Sequence, residues 1–131
     1  MTDLLTKVKN LKNTLLGLEM ELDILESDLL EIAIDLKYLY RAEEALLYNI
    51  NFLKQDGIIA VAMEYKKSVE QLATIKNKIS KFIALRSKTT SKMRDKIKSK
   101  NFYQKEFNKN YKDLENNQIL LVFKGKKGKN G

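Results

Sequence analysis

Three observations predict an all-α protein built on a long antiparallel helical hairpin of coiled-coil type. Aliphatic residues recur every 3.5 residues from Leu4 to Leu53, a second helical pattern follows the corner Gln55-Asp56-Gly57, and the 131 residues contain no proline. A heptad repeat held this long marks a helix that coils against a partner. Without proline, nothing removes a backbone donor from the helix interior.

The first helix is expected over residues 3–54. Its seam steps through Leu4, Val8, Leu11, Leu15, Leu18, Leu22, Leu25, Leu29, Ile32, Leu36, Leu39, Glu43, Leu46, Ile50 and Leu53, with Glu43 the one polar member. Thr2 or Asp3 can cap the start, where a side-chain oxygen accepts from free backbone N–H groups. A second apolar set, Leu16, Met20, Ile24, Leu30, Ile34, Tyr38, Ala45, Tyr48 and Phe52, lies beside that seam and widens the stripe. A two-stranded coil buries only a narrow stripe, so this set predicts a further neighbour for the helix.

Gly57 suits the left-handed conformation that ends a helix, and Asp56 can cap the next helix. So short a link predicts an αα-hairpin; the alternative, a mere kink, would leave a single rod. With a tight turn, facing residues sum to about 111, setting Ile79 against Ile32, Leu72 against Leu39 and Tyr65 against Leu46. Glu43 would then lie near Val69, within reach of Lys66 or Lys67. The second helix starts near Ile58 in this reading. Its apolar stripe is Val61, Tyr65, Val69, Leu72, Ile75, Ile79, Phe82 and Ile83, fading through Arg86, Thr90, Met93, Ile97 and Lys100.

Ser87-Lys88-Thr89-Thr90-Ser91 is poor in helix formers, so the second helix either bends or breaks within 87–101, with Ser99-Lys100-Asn101 a second candidate place, or continues through it. Tyr103, Phe107, Tyr111 and Leu114 then recur at helical spacing. Residues 101–116 either continue helix two or fold back as a third helix of a bundle. The helical domain is taken as 1–117. Beyond it, Ile119-Leu120-Leu121-Val122-Phe123 is expected to be a strand or an extended docking peptide. The end, Lys124 to Gly131, is basic and rich in glycine, which predicts a flexible tail.

Composition narrows the chemistry. There is no cysteine and no histidine. Disulfides, thiolate metal sites, the commonest general base and the commonest metal ligand are therefore all missing. The i,i+4 carboxylates Glu19/Asp23 and Glu31/Asp35 lack the histidines that bundle di-metal sites use. Gly125-Lys126-Lys127-Gly128-Lys129 lacks the spacing of a phosphate loop. No catalytic residue, metal site, cofactor or small-molecule substrate is expected. The N-terminus does not resemble a signal peptide, and no apolar run approaches a bilayer span. The expected location is cytoplasmic, or inside an intracellular or viral assembly.

Charge is divided along the chain. Residues 1–56 carry 6 Lys+Arg against 11 Asp+Glu, a net of −5; residues 57–131 carry 19 against 6, a net of +13. The tight register sets Lys78, Lys81, Arg86, Lys88 and Lys92 against the acids of helix one, a collective bias toward antiparallel pairing.

The leading expectation is a structural or adaptor subunit. Its N-terminal seam, Leu4, Val8, Leu11, Leu15 and Leu18, faces a largely polar part of helix two and would be covered by a second copy or another protein. The alternative cover is residues 101–116, with their aromatics. A second expectation is contact with nucleic acid, through Lys88, Lys92, Arg94, Lys96, Lys98, Lys100, Lys105 and Lys109. Dense lysine attracts phosphate backbone and makes affinity fall with salt, and Phe102, Tyr103, Phe107 and Tyr111 lie among these residues as stacking groups do in single-strand binders. The opposing reading makes those aromatics a buried stripe. A third expectation is a small regulator that binds a larger enzyme through the acidic face of helix one.

Overall fold

The computed structural model describes the backbone of residues 2–56 and 62–130 and the side chains of 3–55 and 62–118. The architecture is two long helices packed against each other as a hairpin, α1 (Thr2–Asp56) and α2 (Ala62–Asn130), with no strand among the described residues. Gly57, Ile58 and Val61, and with them the expected caps at the corner, lie outside the described residues.

All fifteen seam positions of α1 are buried or half-buried, and of its other described residues only Asp35 and Ala42 are not exposed. The 3.5-residue spacing therefore predicts the buried face residue by residue.

On α2 the seam also runs in threes and fours: Tyr65, Ser68, Leu72, Ile75, Ile79, Phe82, Arg86, Thr89, Met93, Lys96, Lys100, Tyr103, Phe107, Asn110, Leu114 and Asn117. Only Arg86 among these is exposed. This corrects the apolar stripe expected for the second helix. Val69, Ile83 and Ile97 are exposed, while Ser68, Thr89 and Lys96 occupy the seam. An apolar-only pattern misses the polar members, and seven of the sixteen are polar or charged.

The helical backbone of α2 continues without a break through 87–101. The hydroxyls of Thr89 and Thr90 each donate to the carbonyl four residues back, Leu85 and Arg86, at 2.8 Å. Each polar group is thus satisfied inside the helix that it could have interrupted. Residues 101–116 belong to the same helix, so they form no separate third one. The backbone of 118–130 is also helical, in place of the expected strand, extended peptide or flexible tail. Lys, Leu and Gln are good helix formers, and extending a helix past its nucleus fixes only one residue per added bond.

The chain divides into two compact units. The first joins Met1–Ile24 with Met93–Gly131; the second is Leu25–Lys92. In the second, Ile32, Leu36 and Ile79 form a buried cluster against which Leu39, Ile75 and Phe82 pack. Leu36 is only 3% exposed. Full burial of such a side chain contributes about 1.5–3 kcal/mol, so this cluster is the tightest anchor in that unit.

In the first unit, Val8, Leu15, Leu18 and Leu114 are buried. Two ion pairs fix the alignment of its two helical segments: Lys96 Nζ to Glu21 Oε2 at 2.7 Å, and Lys100 Nζ to Glu19 Oε1 at 3.7 Å. The numbers of the paired residues add to 117 and 119, where a tight turn demands about 111. In the second unit, Leu46 lines a groove with Lys67, Glu70, Gln71, Thr74 and Ile75, again nearer 118 than 111 and away from the expected partner Tyr65. The register is displaced by about one heptad. A seven-residue slip keeps every seam position facing the seam, so the apolar repeat cannot detect it. Consistently, Glu43 forms no ion pair with Lys66 or Lys67, all three being described residues.

Candidate interaction surfaces

Both seams are used up inside the hairpin, so a partner must meet other faces. Leu4 and Leu11 are half-buried and Val8, Leu15 and Leu18 buried within the first unit itself. The α2 residues level with them, at a sum near 118, are Leu114, Asn110, Phe107, Tyr103 and Lys100. The aromatics Tyr103 and Phe107 are half-buried there, and Phe107 stacks on Tyr111 with ring centres 5.7 Å apart. Lys96 and Lys100 take seam positions too. A lysine there can lay its methylene stem along Leu18 and Leu22 and send the ammonium out to an acid, and the pairs to Glu21 and Glu19 are that outlet. Asn110 is buried, and its amide Nδ2 donates to the Glu106 carbonyl at 2.7 Å.

The second apolar set of α1, expected beside the seam, lies instead on the face opposite it. In the heptad, Leu16, Met20, Ile24, Leu30, Ile34, Tyr38, Tyr48 and Phe52 take the three outermost positions, and all are exposed. In the second unit Leu30 is 64% exposed, Tyr38 66% and Phe52 55%. Apolar side chains in helical series on a solvent face mark an interaction surface more often than scattered single ones do.

The outer face of α2 is polar by contrast. In the first unit, Arg94, Lys98, Lys105 and Lys109 are exposed, and Phe102, 60% exposed, lies among them. Phe102 makes an edge-to-face contact with Tyr103 at 5.3 Å. Lys96 and Lys100 are withdrawn from this face into the seam, half-buried and ion-paired. In the second unit, Lys88 and Lys92 are exposed. The side chains of Ile119, Leu120, Leu121, Val122 and Phe123 lie outside the described residues.

A groove of about 260 Å³ in the second unit is lined by Asp28, Glu31, Asp35, Ile32, Phe82, Leu85 and Thr89. Among the described residues, no group of three or more His, Cys, Asp or Glu side chains is placed to hold a metal ion. No helix among them is long and apolar enough to cross a membrane. No protein-family model, no curated protein and no solved structure matches the chain.

Proposed function

We propose that this chain is a non-enzymatic helical subunit that assembles with protein, and that the contact is made by the outer face of α1, with the seam serving as the coiled-coil core of the hairpin. The observation that carries this reading is the exposed apolar series Leu30, Ile34, Tyr38, Tyr48 and Phe52 on a helix whose opposite face is already buried. Leaving such a series in water forfeits burial free energy, about 25 cal/mol for each Å² of apolar surface. Covering it by a partner recovers that free energy. The test is affinity capture by the full chain against a Tyr38→Ser, Phe52→Ser variant, with helicity checked by circular dichroism. Equal helicity with loss of the captured protein is expected; equal capture would contradict the reading.

A second reading is favoured by one observation, the exposed Arg94, Lys98, Lys105 and Lys109 with Phe102 among them. In this reading these residues grip phosphate backbone and Phe102 stacks on an unpaired base. Its test is binding of a single-stranded oligonucleotide across a salt series. Replacing Lys98 and Lys105 by Gln should reduce the salt slope by about 0.7 for each phosphate no longer neutralised. A slope that does not change would remove this reading.

A further inference from the structure

We propose that the protein which covers the outer face of α1 is a second copy of the same chain, packed antiparallel about a two-fold axis at Ile34; this rests on the assembly reading above. Around Ile34 the exposed face is ordered as Ser27, Leu30, Glu31, Ile34, Lys37, Tyr38 and Arg41, all within the second unit and all exposed. Place two such faces antiparallel with facing numbers summing to 68. Ile34 then meets Ile34, Leu30 meets Tyr38, Glu31 meets Lys37 and Ser27 meets Arg41.

Each contact occurs twice, as an isologous interface requires. The apolar members cover each other, Glu31 and Lys37 meet with opposite sign, and Arg41 meets the neutral Ser27. Read along the sequence alone, the same sum pairs Met20 with Tyr48 and Leu16 with Phe52.

Charge placement argues for this pairing in particular. Lys37 and Arg41 are the only basic residues of α1 between Lys12 and Lys54. Both stand on the outer face about a turn or two beyond Ile34, with Glu31 about one turn before it. None of the three forms an ion pair within the chain, and all are described residues. Parallel pairing in register would set Glu31, Lys37 and Arg41 each against itself. Like charges directly opposed count against an arrangement, so the antiparallel one is selected.

The experiment is light scattering over a concentration series, with charge exchange. The full chain should show a mass near twice 15.2 kDa, falling to the monomer on dilution. Lys37→Glu alone and Glu31→Lys alone should each weaken self-association at least tenfold. The two together should restore it, because the antiparallel pair is rebuilt with its signs exchanged. The chain contains no cysteine, so Ile34→Cys supplies a single thiol, and mild oxidation should link two copies through it. All these positions are exposed, and unchanged melting curves confirm that the fold is kept. A monomer at every concentration, or a dimer indifferent to the single exchanges, overturns the proposal. If the monomer still captures a different protein and Ile34→Glu abolishes that capture, self-pairing fails while the assembly reading stands. If Ile34→Glu alters neither mass nor capture, both fall.

Discussion

The two helices close the same hairpin with different materials. The seam of α1 is aliphatic at every position but Glu43, whereas that of α2 includes Ser68, Thr89, Lys96, Lys100, Asn110 and Asn117. The difference shows how little apolar residue one side of a seam needs. Thr89 and Asn110 return their hydrogen bonds to their own helix, at 2.8 and 2.7 Å. Lys96 and Lys100 supply stems inward and charge outward. Thr89 and Asn110 need no polar partner across the interface, and the lysines find theirs at its edge in Glu21 and Glu19, so an aliphatic seam can face all four without leaving a buried group unsatisfied. The outer faces invert the pattern, since that of α1 carries the apolar series and that of α2 the lysines. The helix that contributes most to the core also displays the surface that a partner would cover.

That comparison can be broken most forcefully at Leu36 and Ile34, two residues apart on opposite faces. Leu36→Ala empties the buried cluster and should cost about 2–5 kcal/mol of stability. Ile34→Ala, measured on the monomer, should stay within about 0.5 kcal/mol. Urea titrations of the two variants compare them directly, and equal losses would show that the outer face is a second core.

A smaller effect sharpens the contrast between seams. Asn110→Leu makes α2 resemble α1 at a buried position and should raise stability by about 1 kcal/mol, because the desolvated amide is removed with its local bond. A loss of that size would mean that the amide serves the packing in some way beyond its bond to Glu106. Gly17→Ala should also stabilise, by about 0.5–1 kcal/mol, since a Cβ there meets nothing within 4 Å. Thermal melts report both changes.

The smallest effect concerns the ion pairs. A double-mutant cycle on Lys96 and Glu21 should give a coupling of about 0–1 kcal/mol that fades in high salt, as the two side chains keep 41% and 52% of their surface open to water. A larger coupling would make the pair, and not the lysine stem, the reason Lys96 sits in the seam.

The fold was legible in the residues to an uneven degree. The buried face of α1 could be read position by position, because periodic leucine is an unambiguous signal. The face of α2 could not, because Ser68, Thr89 and Lys96 take seam positions that no hydrophobic count detects, Thr89 bonding to its own helix and Lys96 pairing with Glu21. The Ser87–Ser91 run could not be read as continuous helix for a related reason, since propensity alone does not show that the Thr89 and Thr90 hydroxyls find acceptors at the preceding turn. Register was the other blind spot. Patterns repeating every seven residues leave slips of seven equivalent, and the register shows only in cross-helix pairs such as Lys96 with Glu21. The apolar set of α1 was visible in the sequence, but its position opposite the seam, where it is free for a partner, required the packed helices.

The central claim is that α2 closes the N-terminal seam of α1 within one chain, one heptad beyond the tight-turn register. The most direct measurement is thiol cross-linking in this cysteine-free chain with a short bifunctional reagent. Val8→Cys with Asn110→Cys should link within a monomer, rapidly and without dependence on concentration. Linking only between chains, or a faster intramolecular link for Val8→Cys with Tyr103→Cys, would contradict it.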